Sequence, residues 1–325
     1  MVDHHAPSRC EHHHFPTAGR LVSSNRTSFA SFHSVRDVHH AIPPPFALSS
    51  GTLDFSVPRI MGVINATPDS FHGESRVQQA RRAAEVALAM VGDGADIIDI
   101  GGQSSRPGAT SVAADVECER VIPVIEEVRN VLPEIAISVD TFRAAVARQS
   151  LRAGADIVND IGAAMLDPDM EGLLADTQAP CILMHMQGTP QDMQDAPVYA
   201  DVVTDVRDFL AGRLDALRAA GAGSVAIDPG FGFGKTLAHN YALLDGLGAL
   251  ATLQVPLLVG VSRKSMIYKR LNCAPAAALN GTTALHAWAL ERGAHILRVH
   301  DVAEAAECVK LHRALTASRM GTADD

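Results

Sequence analysis

The sequence predicts an α/β fold, a single (β/α)8 TIM barrel with a disordered N-terminal extension, on three observations. Eight short apolar runs recur along the chain, helical patterns separate them, and nearly every run ends on a polar residue. Runs that are apolar throughout indicate strands buried on both faces, as parallel sheets covered by helices require. In such a barrel the carboxyl ends of all strands face one way, so the polar residues that follow them converge on one site. That convergence points to an enzyme.

Taken in order, the runs are 60–64 before Asn65, 97–100 before Gly101-Gly102, 135–139 before Asp140, and 157–158 before Asn159-Asp160. Then come 181–184 before His185, 224–227 before Asp228, 257–261 before Ser262-Arg263-Lys264, and 296–299 (Arg298 within it) before His300-Asp301. Between the first two, Val77, Ala80, Ala84, Ala87 and Val91 share one helical face while Arg76, Gln79, Arg82 and Glu85 lie elsewhere. Comparable stretches cover 115–130, 141–153, 168–178, 198–220, 238–251, 280–292 and 302–316. Gly94, Gly154 and Gly293 each stand after a helical stretch and before an apolar run, the place where a helix stops and a strand begins. A doubly wound open sheet is the alternative architecture, but no G-x-G-x-x-G joins a strand to a helix.

Composition sets the limits. Of 325 residues 47% are hydrophobic and only 4% aromatic, so the core is aliphatic, as in barrels of about 250 residues. The remaining length lies mainly in residues 1–52, a His-, Ser- and Pro-rich stretch without periodicity that is expected to be a disordered tail. Its Arg/Ser bias has something of a transit peptide, against which stand Asp3, Glu11 and Asp37. The barrel is expected over 53–318 and a flexible C-terminus over 319–325. A formal net charge of −10 argues against nucleic acid or an anionic membrane as partner, since both need a dominant basic face. Cys10, Cys118, Cys181, Cys273 and Cys308 are odd in number and lack C-x-x-C spacing, so neither a disulfide framework nor a zinc knuckle is expected, and a reducing, cytoplasmic setting is. No apolar stretch approaches the ~18 residues that span a bilayer.

The segment Asp228-Pro229-Gly230-Phe231-Gly232-Phe233-Gly234-Lys235 is the most distinctive. A phosphate-binding G-x-x-x-x-G-K-[ST] loop would need glycine where Pro229 stands, so only Gly234-Lys235-Thr236 match it. Alternating Gly and Phe suit close approach to a flat ligand. A glycine-rich turn with Phe231 and Phe233 in the core is the other reading. Asp140, Asn159 and Asp228 follow apolar runs in the same phase, and buried carboxylates cost several kcal/mol unless a partner meets them. Together they suit a ligand rich in N–H donors, such as the amino-pyrimidinone edge of a pterin or guanine; helix capping is the alternative for Asp140. Lys264, Arg298 and His300 supply a local cationic cluster able to neutralise a phosphate or pyrophosphate, although one such cation at this depth could equally pair with a nearby Asp.

The motifs Asn65 through Phe71, Gly101 through Gly108, Ser138 through Thr141, Leu183 through Gly188, Asp228 through Lys235, Ser262 through Ser265 and Arg298 through Asp301 resemble those of the dihydropteroate synthase family, in order from about Arg59 to about Leu315. The resemblance implies a TIM barrel that joins 6-hydroxymethyl-7,8-dihydropterin pyrophosphate to p-aminobenzoate, releasing pyrophosphate. It also implies roles. Asp140, Asn159, Asp228 and Lys264 would hold the pterin with Met184 packed on its ring; Asn65, Arg298 and His300 would hold the pyrophosphate, Asn65 also binding Mg²⁺; and Ser105, Arg106, Gly232, Phe233 and Ser265 would form the p-aminobenzoate side. Asp140, Lys264, Arg298 and His300 would be the catalytic groups. The family usually forms homodimers.

The chain departs from that pattern at Gln103, where the family generally has Glu, at Ser105, where Thr is more common, and at His72-Gly73-Glu74. Ser105 keeps the hydroxyl and loses a methyl; the other changes bear on loops, and activity is expected to survive them. Two other functions compete: a pterin-dependent methyltransferase, which would need a corrinoid partner, and a paralogue that binds pterin without catalysis.

Overall fold

In the computed structural model, which describes Met1 and residues 42–67, 75–103 and 112–321, a short hairpin, β1 (Phe46–Leu48) and β2 (Gly51–Leu53), precedes eight strands lying where the apolar runs are. These are β3 (Arg59–Asn65), β4 (Ile97–Gly101), β5 (Ala136–Asp140), β6 (Ile157–Asp160), β7 (Cys181–Met184), β8 (Val225–Asp228), β9 (Leu258–Val259) and β10 (Ile296–Val299). They pair in parallel in the order β8-β7-β6-β5-β4-β3-β10-β9, and a single parallel bridge between Ile227 and Leu257 closes the ring. The eight-stranded α/β barrel is thereby observed.

The helices are α1 (Arg76–Asp93), α2 (Ala114–Val131), α3 (Ala144–Ala153), α4 (Met170–Thr177), α5 (Val202–Ala220), α6 (Leu237–Asp245), α7 (Ser265–Leu271), α8 (Leu279–Glu291) and α9 (Val302–Met320). Gly94 and Gly154 cap α1 and α3 at φ 110° and 112°, and Gly293 stands one residue beyond the cap of α8. On α1, Ala80, Ala84 and Ala87 are buried as their spacing requires, while Val77 is exposed in the first turn. The seven-residue α7 escapes periodicity analysis because it spans only about two turns. Among the described residues no helix is long and apolar enough to cross a membrane.

A period of two sorts every strand. Ile60, Ile64, Ile98, Ile100, Ile137, Val139 and Val158 face outward and pack with the helices, whereas Met61, Ile97, Ala136, Ile157, Ile182, Ala226, Leu258 and Ile296 form a separate apolar layer inside the barrel. Phe46, Leu53 and Phe55 join that inner layer. Phe46 is wholly buried and meets Phe55 edge-on, ring centroids 5.1 Å apart.

That hairpin corrects the expected domain boundary, since part of the stretch assigned to a disordered tail is folded. Three-residue strands carry too little alternation to register, and the preceding Pro43-Pro44-Pro45 reads as linker. The hairpin is also tied down by polar contacts: Ser49 and Ser50 donate to the buried Asp156 carboxylate, which Arg129 meets at 2.6 Å. At the other end α9 runs to Met320, two residues past the expected limit of the barrel. Residues 2–41 and 322–325, with the rest of the expected tail and C-terminus, lie outside the described residues. Phe46→Ala is expected to cost about 3–5 kcal/mol of stability, read from denaturant unfolding, with little change in turnover below the unfolding range.

Candidate active site

Two residues beyond each member of the inner apolar layer stands the next inward position, and here the chemistry changes. From Met61, Ile97, Ala136, Ile157, Ile182, Ala226, Leu258 and Ile296 the step leads to Val63, Asp99, Ser138, Asn159, Met184, Asp228, Gly260 and Arg298. A further step on β5 reaches Asp140. Asp140, Asn159, Met184, Asp228, Gly260 and Arg298 line one cleft together with Ile161, Phe233 and Lys264. A Cβ at Gly260 would stand in ordinary contact, 3.7 Å from Lys264 Nζ and 3.8 Å from Arg298 Cβ.

Charge pairing holds the layer. Arg298 Nε donates to Asp99 Oδ2 and its Nη2 to Asp140 Oδ2, both at 2.7 Å. Asn159 Nδ2 donates to Asp99 Oδ2 at 3.2 Å. Lys264 Nζ donates to the Phe231 carbonyl at 2.6 Å and stands 4.9 Å from the Phe233 ring centroid. Asp228 Oδ1 accepts from the Gly230 amide at 2.7 Å. Burial pushes the Asp140 carboxyl above its ordinary value despite the Arg298 charge, and Asp99 adds to the push. Burial likewise raises Asp228, with Lys264 and the Gly230 amide opposing, and draws Lys264 down to about 8, with Asp228 opposing.

Seven residues singled out in the sequence thus share one cleft: Asp140, Asn159, Met184, Asp228, Phe233, Lys264 and Arg298. Asn65, His300, Gly232 and Ser265 do not line it. Asn65 ends β3 at the level of Asp140, through the register Asn65–Gly101–Asp140, and is exposed. His300 is exposed, follows Arg298 by two residues, and its Nδ1 is 3.2 Å from Ser262 Oγ. Gly232 places its α-carbon so that a Cβ would meet Lys264 Cδ at 3.5 Å, and Ser265 opens α7 directly after Lys264. Ser105, Arg106 and His72-Gly73-Glu74 lie outside the described residues.

The helix-capping alternative for Asp140 does not hold: α3 has Arg143 at its N-cap and no side-chain cap, while the Asp140 carboxylate is spent on Arg298. The two readings of the Gly-Phe segment divide between its two rings. Phe231 is fully buried in the outer core, and Phe233 lines the cleft. The glycines at 230 and 234 serve the fold more than a ligand, since at positive φ they press against the segment after β7, where a Cβ would come within 1.9 Å of the His185 oxygen and 2.6 Å of the Gln187 oxygen.

Sequence reasoning missed Asp99, a fully buried carboxylate that holds both Arg298 and Asn159. The signal was present: an acid inside an apolar run, in phase with Ile97 and Gly101.

The comparisons agree with this geometry. The family model described as pterin binding enzyme matches residues 61–300. A dihydropteroate synthase of Escherichia coli is 43% identical over 270 residues, covering 82% of this chain and 95% of that protein. The crystal structure of the Yersinia pestis dihydropteroate synthase with a sulfonamide drug complex superposes with a TM-score of 0.79 at 42% identity, over 84% of this chain and all of the other. That of Xanthomonas albilineans with 4-aminobenzoic acid also gives 0.79, at 40% identity, over 85% of this chain and 99% of the other. With a buried acid–amide–cation layer of this kind and likeness across nearly the whole barrel, the chain belongs to the dihydropteroate synthase family of pterin-binding enzymes.

Proposed function

We propose a division of labour among these residues in the reaction the chain catalyses, the condensation of 6-hydroxymethyl-7,8-dihydropterin pyrophosphate with p-aminobenzoate to give 7,8-dihydropteroate and pyrophosphate. The observation that carries it is the cleft in which Asp140, Asn159 and Asp228 meet Lys264 and Arg298. Asn159 and Asp228 take the N–H edge of the pterin, Met184 packs on its ring, and Lys264 donates to its carbonyl side. Asp140 carries negative charge toward the exocyclic methylene as its bond to the pyrophosphate oxygen lengthens. The arylamine nitrogen forms the new C–N bond, the C–O bond breaks with its electrons on pyrophosphate, and the amine proton passes to solvent. No side chain acts as nucleophile.

Arg298 and His300 receive the departing pyrophosphate. Two edges of the guanidinium are held by Asp99 and Asp140, and Nη1 has no hydrogen-bond partner among the described residues, which leaves a donor for an anion. Gly232, Phe233 and Ser265, with Ser105 and Arg106, are assigned to the p-aminobenzoate side; that such a substrate is bound is supported by the similar Xanthomonas enzyme solved with 4-aminobenzoic acid. Sulfonamides, arylamines of similar shape, are expected to compete there.

Mg²⁺ fits Asn65 by the chemistry of the donor. The Asn65 carboxamide offers one neutral oxygen at the exposed end of β3. A site of that kind suits a hard ion bound chiefly by waters and substrate phosphates. When bound it would neutralise pyrophosphate charge.

We place the enzyme in the cytoplasm as a homodimer. The free cysteines Cys118, Cys181, Cys273 and Cys308 support the first, and exposed Trp288 on α8 with Leu311 and Leu315 on the adjoining α9 support the second.

The deciding experiment measures pyrophosphate release and dihydropteroate formation with and without Mg²⁺. Asp140→Ala and Lys264→Ala are each expected to lower kcat/KM by roughly a hundredfold or more with the fold retained by circular dichroism, and normal rates in either would remove its role. A corrinoid-dependent methyltransferase would make no dihydropteroate, and a mere binder would hold pterin at background turnover.

The charge states fix a pH dependence. Below neutrality Asp140 gains a proton because burial has raised it, and as pH climbs past about 8 Lys264 loses one. The rate in kcat/KM for the pterin substrate should therefore fall on both sides, and Lys264→Met should abolish the alkaline limb in pterin-analogue binding followed by fluorescence. Sedimentation should give a dimer for the native chain and a monomer for Trp288→Glu.

A further inference from the structure

A second buried cation stands behind the cleft with no part in the reaction described above. Lys235, which ends the glycine-rich loop, is 3% exposed. Its Nζ donates to the carbonyls of Gly230 at 2.9 Å, Phe233 at 3.0 Å and His185 at 3.4 Å, and lies 2.9 Å from His185 Nδ1. These partners are carbonyls and a ring nitrogen, not a carboxylate. Burial, then the Lys235 charge, pushes the His185 imidazole down to about 3, so the ring is neutral and Nδ1 is an acceptor.

Burial draws Lys235 itself down to about 7, with Asp228 opposing, and its Nζ contacts are divided between the loop after β8 and His185 after β7. The loop after β8 is pressed onto the segment after β7, with the Lys235 ammonium bonded to both. From the other side Asn240 of α6 braces the same loop, its Oδ1 accepting from the Gly232 amide at 2.7 Å. Gly232 and Phe233 are therefore suspended between two anchors. Phe233 faces the cleft and Lys264 Nζ, and Lys264 is bonded to the carbonyl of Phe231 in the same loop.

We propose that Lys235 is a positioning residue for the arylamine subsite: its Nζ knots His185 to the carbonyls of Gly230 and Phe233 and so sets where Gly232 and Phe233 meet p-aminobenzoate. The inference rests on the assignment of Gly232 and Phe233 to that substrate. Neither His185 nor Lys235 lines the cleft, so the expected signature is a substrate-selective change in KM and not a uniform loss.

Steady-state kinetics with each substrate varied in turn test this. Lys235→Met is expected to raise KM for p-aminobenzoate roughly tenfold while KM for the dihydropterin pyrophosphate stays within about twofold. Parallel rises in both, or no change in either, would overturn the proposal. His185→Leu should shift the same KM in the same selective way by a few-fold, and His185→Asn, whose side-chain oxygen replaces the Nδ1 acceptor, should restore it; equal behaviour of the two His185 variants would also overturn it, and this pair decides the matter if Lys235→Met does not fold. Phe233→Ala separates the two levels. An unchanged KM for p-aminobenzoate in that variant would sink the subsite assignment, whereas a raised KM there with none in the Lys235 and His185 variants would sink the Lys235 inference alone.

Discussion

Arg298 joins three strands across the barrel, rising from β10 and bonded to an acid on β4 and an acid on β5. A guanidinium at 23% side-chain exposure beside a fully buried Asp99 is stable only as a pair, because a lone charge there would cost several kcal/mol. Asp99 in turn accepts from Asn159 on β6, so one ionic group ties side chains from β4, β5 and β6 to β10 across the intervening β3. These charges are paired with no substrate present. Preorganisation of this kind lets a charged site act on developing charge without having to rearrange first.

Above an apolar layer, then, lies a polar one, and the spacing between them made much of the site legible. A strand alternates inward and outward, so polar residues that end apolar runs in the same phase must share the barrel lumen. Asp140, Asn159, Asp228 and Arg298 could be placed on that ground alone. The same rule reached Asp99 and Gly260, but an acid flanked by Ile98 and Ile100 looks like an interruption until its partner is seen, and a glycine announces itself by no side chain. The hairpin at 46–53 was hidden for a different reason. Its apolar residues are too few and too close to the strand minimum for periodicity to speak, and their burial comes from the far end of the barrel.

The glycine-rich segment shows how one motif can satisfy two demands. Flatness toward a ligand was the expected reason for its glycines, yet Gly230 and Gly234 are required by the backbone of the segment after β7. Only Gly232 is turned toward the cleft side, against Lys264. The two phenylalanines divide in the same way, one buried among aliphatic side chains and one facing the cleft. Sequence alternation alone could not separate them, because both choices obey the same pattern.

Gln103 illustrates why a departure from the family pattern need not disturb the chemistry. Its Oε1 accepts from Arg143 Nη1 at 3.0 Å and from the Val112 amide at 3.1 Å, tying together the two ends of the stretch between them. Arg143 is also paired with the buried Glu117 and donates to the Val112 carbonyl at 2.7 Å. A glutamate at this position would offer the same acceptor but bring a second carboxylate beside Glu117 on the same Arg143 guanidinium. The amide keeps the geometry and drops the repulsion, since a neutral carbonyl oxygen bonds an arginine without needing its full charge. The brace on either side of the stretch that carries Ser105 and Arg106 is thus preserved by a group of nearly the same shape, and the electrostatic demand on Arg143 is smaller than the family residue would make it.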